Sequence, residues 1–281
     1  MIGVVDVGGG LRGIYGAGIL DYCIQNGIRF DYCIGVSAGS ANIVSYAAQQ
    51  QKRNYYYFIE YSFRKEYMSL SNLIRKHSYL DMDYIYGTLY NHDGERPLDY
   101  PAVVRNGIPL RIVATDAVTG KPHYFTENDL GQDNYDVIKA SCSIPVVNRP
   151  YVVGGVPYYD GGISDPIPFE KALADGCDRV VVILTKPLDF YSDDRMETRI
   201  SSLIRKKYPA SAELLSHRNQ LYRDQLARMK SYQEDGRVLV IAPETIYEMG
   251  TLTKDKERLQ KMYDDAWKQA ETIPDFISRS V

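Results

Sequence analysis

Twice within its first 50 residues, the chain passes from a short apolar run into a glycine-bracketed turn and on into a helix-forming segment. Residues 2–7 (IGVVDV) read as a buried strand ended by three glycines. A helix is predicted over 13–25, with Gly27 as its stop. Residues 31–36 (DYCIGV) read as a second buried strand, and 37–50 as a second helix. Strands that are apolar on both faces must be covered on both, and strand–helix–strand units align their strands in parallel. The expected fold class is therefore α/β: a three-layer α/β/α sandwich with a mainly parallel central sheet.

Further apolar runs at 110–114, 179–184 and 237–241 extend the same scheme. Gly154-Gly155, set between YVV and VPYY, has the spacing of a two-residue hairpin turn and would deliver Asp160 at the end of the second arm. Residues 52–105 cluster Tyr, Leu and Ile with mixed charges and no strand signal, which suggests helices inserted between strands as a candidate cap. From 199 to 230 there are eight Lys/Arg against Glu213 and Asp224. That stretch reads as a solvated helix face, with a membrane-facing basic helix as the alternative. Leu259, Met262, Tyr263, Ala266, Trp267 and Ala270 form an apolar helical stripe, a docking surface. With no repeats or linker, one domain over 1–281 is expected, with 52–105 as insert or cap and 186–281 as a mostly helical C-terminal extension.

A net charge of −3 gives no bulk basicity for nucleic acid. The four cysteines form no C-x-x-C pair and no zinc or disulfide pattern. No signal peptide is read at the start, and no window approaches the roughly 18 apolar residues of a spanning helix. The expectation is a cytoplasmic protein, free of metal and cofactor. Tyrosine is abundant, at 25 against 7 Phe, which suits half-wet packing and surfaces that meet lipid or ligand.

Gly35-Val36-Ser37-Ala38-Gly39 matches G-x-S-x-G between a strand and a helix. That context holds a serine exposed on a sharp turn, and the helix start aims free amides and a positive dipole end at a developing oxyanion. Gly8-Gly9-Gly10-Leu11-Arg12-Gly13 also follows a strand and opens a helix. Read literally it is G-x-G-x-x-G, so a nucleotide-binding Rossmann protein is the rival reading. That rival needs an acid at the end of the second strand. Asp31 stands at the start of that strand, and Ser37 holds the end. The same glycines, beside Ser37 at one sheet edge, can instead supply oxyanion donors.

Only His77, His92, His123 and His217 could serve as a histidine base. The order Ser37, Asp160, His217 is that of α/β-hydrolases, but His217 lies in a charged helical stretch. Asp160-Gly161-Gly162 is the better candidate, with a carboxylate at a strand end and glycines that permit close backbone approach.

Together GGGLRG (8–13), GVSAG (35–39) and DGG (160–162) resemble the patatin-like phospholipase family in order and spacing, and ASCSIP (140–145) is similar to a stretch common in it. The resemblance implies Ser37 as nucleophile and Asp160 as its general base, in a dyad. It also implies that Gly8, Gly9, Gly10, Arg12, Gly13 and Ala38 form the oxyanion and substrate-binding set, supported by Gly35, Gly39, Gly161 and Gly162. It implies a metal-independent lipid acyl hydrolase of phospholipase A, lysophospholipase or carboxylesterase type. Its partner would be a lipid or acyl-ester substrate, with transient contact at a membrane surface. A catalytically silent lipid-binding scaffold on the same fold is a further alternative.

Overall fold

The computed structural model describes residues 1–190 and 194–278; the parts of the C-terminal extension at 191–193 and 279–281 lie outside the described residues. Its strands are β1 (Ile2–Asp6), β2 (Tyr32–Val36), β3 (Leu110–Asp116), β4 (Pro122–Thr126), β5 (Tyr151–Val153), β6 (Val156–Asp160), β7 (Arg179–Ile183) and β8 (Val238–Ile241). They form one sheet in which β3, β2, β1, β7 and β8 are parallel neighbours. The hairpin β5–β6, turned at Gly154-Gly155, adds antiparallel to β3. Sequence reasoning did not find β4, which pairs antiparallel with β3; Pro122, His123 and Tyr124 lack an apolar-run signal.

The helices are α1 (Ile14–Gln25), α2 (Ala38–Ala47), α3 (Arg53–Ile59), α4 (Leu70–Lys76), α5 (Tyr100–Asn106), α6 (Asp136–Ser141), α7 (Phe169–Ala174), α8 (Asp194–Ile204), α9 (Pro209–Glu234), α10 (Lys256–Ala270) and α11 (Ile273–Ser278). Side chains alternate across the central strands, as the period of two requires. Val4, Cys33, Ile112 and Val181 join a core with α1, α2 and α10. Val5, Ile34, Val113 and Val182 join another with Phe169 of α7 and Met229 of α9. Both faces are thus covered, and the expected α/β/α sandwich is present, with a helical C-terminal part. The predicted stripe of α10 is buried at Leu259, Met262, Tyr263, Ala266 and Ala270, where the helix packs along α1.

One detail of the sheet positions the site. β4 runs along one edge of β3 from Arg111 to Thr115. The other edge is therefore shared: β2 occupies it as far as Val36 opposite Val113, and β6 takes over with Asp160 opposite Ala114. Two strands arriving from opposite directions end at consecutive registers of the same neighbour. Ser37 is the first residue past the end of β2, and Asp160 is the last residue of β6.

Candidate active site

Ser37 has φ 56° and ψ −131°, a conformation that a residue with a Cβ rarely adopts. The turn holds because its surroundings over-determine it. The Ser37 N–H donates to Ser141 Oγ at 2.9 Å, and Ser141 Oγ–H donates to the Val113 carbonyl at 2.6 Å, joining the elbow to β3. Ser40 Oγ lies 2.7 Å from Ser141 Oγ and donates to the Gly35 carbonyl. A Cβ on Gly39 would lie 2.2 Å from the Asp6 carbonyl oxygen, so only glycine lets α2 start this close to β1.

Asp160 ends β6 and caps the short 3₁₀ turn Gly161–Ile163, its Oδ1 accepting the Gly162 N–H at 2.8 Å. Its own N–H donates to the Ser143 carbonyl, and its carbonyl accepts from Thr115 Oγ1, each at 2.8 Å. Ser141 and Ser143 therefore explain the ASCSIP stretch: one fixes the serine turn and the other the aspartate. The Asp160 carboxyl is buried, which pushes it above the usual carboxylate range. The Ser37 hydroxyl, within hydrogen-bonding reach, the charge of Arg218 and the Gly162 N–H all oppose that rise.

Gly8, Gly9 and Gly10 have φ of 64°, 122° and 62°. A Cβ on Gly8 would meet the Val36 carbonyl oxygen at 2.3 Å and the Ala38 nitrogen at 2.9 Å, so the loop lies directly on the serine turn. One expectation is corrected here. The Gly8 N–H is not available as an oxyanion donor, because it donates to Asp6 Oδ1 at 2.9 Å. Asp6 Oδ2 accepts from Asn42 Nδ2 at 2.8 Å, and burial pushes this carboxyl up to about 6. Gly10 and Ala38, by contrast, line the same cavity as Ser37. Gly13 is a packing position: its carbonyl accepts from Asn42, and a Cβ there would lie 2.9 Å from that of Ala38.

Arg12 is buried and donates from Nη1 to the Met249 carbonyl, while the Leu11 N–H donates to that of Thr251. Residues after β8 thus hold the loop from outside. Burial, reinforced by the nearby charge of Arg218, lowers the Arg12 guanidinium to about 10.

The cavity encloses about 560 Å³ counting its open mouth. Beyond Gly10, Ser37 and Ala38 its wall is mostly apolar, with Phe58, Ile85 and Tyr86 among the lining residues. Three of the four histidines engage other partners. His217 is exposed on α9 with Nδ1 against the Glu213 carbonyl, His92 pairs with Asp133, and His123 meets Phe125 edge to face. Asp31 accepts from the Ile2 N–H at the opposite edge of the sheet from the glycine loop, so the arrangement that a ribose would need is not built. Among the described residues, no group of three or more His, Cys, Asp or Glu could hold a metal ion.

A family model described as patatin-like phospholipase matches residues 7–173, more than half of the chain and all three motifs. The chain belongs to the patatin-like phospholipase family. A second model, described only as a domain of unknown function (DUF6363), matches 208–277. Uncharacterized protein YjjU of Escherichia coli is 29% identical over 229 residues, 79% of this chain and 63% of its own length. An uncharacterized NTE family protein of Mycobacterium tuberculosis is 34% identical over 82 residues, 29% of this chain and 22% of its own. The crystal structure of VipD from Legionella pneumophila superposes with a TM-score of 0.50 at 15% identity, over 97% of this chain and 66% of that one; this likeness concerns the fold alone. The chain therefore spans less than two thirds of the length of these curated and structural relatives.

Sequence reasoning missed Arg218. Its Nε donates to the Gly162 carbonyl at 2.6 Å. It lies on α9, inside the stretch matched by the domain of unknown function, next to the exposed His217. No helix among the described residues is long and apolar enough to cross a membrane.

Proposed function

We propose that this chain is a serine acyl hydrolase that cleaves fatty-acyl esters of lipids, with Ser37 as nucleophile and Asp160 as general base. The observation that carries the reading is the convergence of Ser37, just past the end of β2, and the buried Asp160 carboxyl, at the end of β6, where these two strands meet along β3 beside a largely apolar cavity. Ser37 Oγ attacks the ester carbonyl carbon while its proton passes to Asp160. The oxyanion accepts hydrogen bonds from the Gly9 or Gly10 amide and from Ala38 N–H, two donors worth about 3 kcal/mol each. The tetrahedral adduct collapses to an acyl-Ser37 ester, and the alcohol leaves with the proton from Asp160. Water, deprotonated by Asp160, then releases the fatty acid and restores Ser37. An ordinary aspartate is a weak base, so the upward push of burial favours this role.

In this reading residues 52–105 cap the cavity and 186–281 brace the site, all within one unit. The test is fatty-acid release from phospholipid vesicles and from dissolved p-nitrophenyl esters. Ser37→Ala and Asp160→Asn proteins that fold normally should each lose at least about 10³-fold in kcat/KM. Wild-type rates from either variant would overturn the assignment, and a wild-type chain that binds lipid without turnover would favour a silent scaffold.

A further inference from the structure

α4 carries its apolar side chains on the wrong side for a core helix. Leu70, Leu73 and Ile74 stand at i, i+3 and i+4, the spacing with which a surface helix normally docks. Yet no residue of α4 is buried, and Leu70 and Ile74 are 70% and 76% exposed. The helix is not a frayed end. Ser69 Oγ caps it by accepting the Asn72 N–H, and Asn72 Nδ2 ties back to the carbonyls of Lys65 and Glu66. The excursion that carries it leaves and returns at the bridge between Met68 and Leu80. It is a built projection with an apolar outer face.

Its place in the fold gives that face a purpose. Tyr67 and Leu80, on either side of the excursion, line the cavity that Ser37 opens on. Ile144 lines it as well, and the turn after it is joined to the excursion by the Tyr79 N–H donating to the Val147 carbonyl at 2.7 Å. Val146 on that turn is 44% exposed and held at φ 69°, another large apolar side chain presented outward. The charges around this face have one prevailing sign. Lys65, Arg75, Lys76 and Arg149 are exposed there against Glu66, on a chain whose net charge is −3. Lys76 pairs with Asp81, whereas Lys65, Arg75 and Arg149 make no salt bridge among the described residues.

We propose that α4 and the Val146 turn form an interfacial docking face that inserts Leu70, Ile74 and Val146 into an anionic lipid surface and sets the cavity wall against it. The proposal rests on the reading of the cavity as an acyl-chain site, and it names the surface from which that site draws substrate. An apolar helix face flanked by Lys and Arg is the pattern of a helix lying in a membrane interface, with the basic side chains at headgroup level. The basic stretch of α8 and α9 is not needed for this. Its Arg218 turns inward to Gly162, and α9 packs on β8.

The experiment is co-sedimentation of full-length Ser37→Ala protein, which leaves lipid intact, with two kinds of vesicle. One is phosphatidylcholine alone, and the other equal parts phosphatidylcholine and phosphatidylglycerol. Binding should favour the anionic vesicles and weaken with salt. Leu70→Glu/Ile74→Glu should weaken it at least about tenfold, and Lys65→Glu/Arg75→Glu by about fivefold per residue at low salt. In the otherwise wild-type chain, Leu70→Glu/Ile74→Glu should leave hydrolysis of a dissolved short-chain ester within about twofold while vesicle hydrolysis falls. Unchanged vesicle binding by the Leu70→Glu/Ile74→Glu protein would overturn the proposal. So would a concentration-dependent dimer that this variant abolishes in a protein that ignores vesicles, since a second copy would then be the occupant. Vesicle binding that depends on α4 in a chain that hydrolyses no ester would support the docking face and sink the catalytic reading instead.

Discussion

Arg218 Nε donates to the Gly162 carbonyl at 2.6 Å, and the Gly162 N–H donates to Asp160 Oδ1 at 2.8 Å. Arg218, in the C-terminal helical part, and the proposed base thus hydrogen-bond to the same residue, and the charge of Arg218 favours the ionised carboxylate. The other groups around this point are Ser37 on the serine turn and Cys142 after α6, with Arg12, Lys186 and Tyr222 near Arg218. The stretch matched as a domain of unknown function therefore reaches, through Arg218, the turn that follows the proposed base.

Arg218→Gln removes the positive charge, so the Asp160 carboxyl rises further. The base is active when deprotonated, so the acidic limb of the kcat/KM profile should move to higher pH. Below that limb the rate should fall by about tenfold for each pH unit the limb moves. Arg218→Lys keeps the charge and should shift the limb less. A purely structural brace would lower the rate without moving the limb, and pH profiles of the three proteins distinguish the two cases.

Asp6 links the glycine loop to stability. It has no cationic partner in its hydrogen-bond set, and burial raises its folded value to about 6 from an ordinary 3.8. The folded state therefore holds this proton more tightly than the unfolded chain. That contribution is complete below the unfolded value and is lost as pH rises through about 6, by roughly 3 kcal/mol in all. Asp6→Asn cannot titrate, so its stability relative to wild type should climb between about pH 4 and pH 7. Urea unfolding of both proteins across that range checks the slope, and parallel curves would show that Asp6 titrates normally.

The cavity predicts chain-length selectivity. Ala41 of α2 lies on its wall near Ser37, and Ala41→Phe should fill part of the space beside the acyl chain. Hydrolysis of long-chain esters should drop by roughly tenfold or more while acetate esters change little, because lost apolar contact scales with the methylenes displaced. Equal losses on both substrates would place the acyl chain elsewhere.

What was legible in the sequence was local. Ser37 and residues 8–10 announce themselves because tight turns with positive φ between apolar runs and helices leave few residue choices. The hairpin at Gly154-Gly155 was legible for the same reason, and it brings Asp160 to β3. Arg218 was not legible: it is 56 residues from Gly162, and the charge pattern of α9 does not say which side faces inward. One step along that helix separates exposed His217 from Arg218, a rotation of about 100° that decides which of the two meets the site. Asp6 carries no signal of its own within the apolar run 2–7, although its carboxylate engages the Gly8 amide. The outward face of α4 was hidden too, because its i, i+3, i+4 spacing is the same whether it meets a core or a lipid surface.

The most direct test of Ser37 as nucleophile is reaction of the folded protein with a fluorophosphonate probe, followed by peptide mapping. A single modification on Ser37 is expected, absent in Ser37→Ala and strongly slowed in Asp160→Asn. A folded wild-type protein that stays unlabelled, or one labelled at another serine, would contradict it.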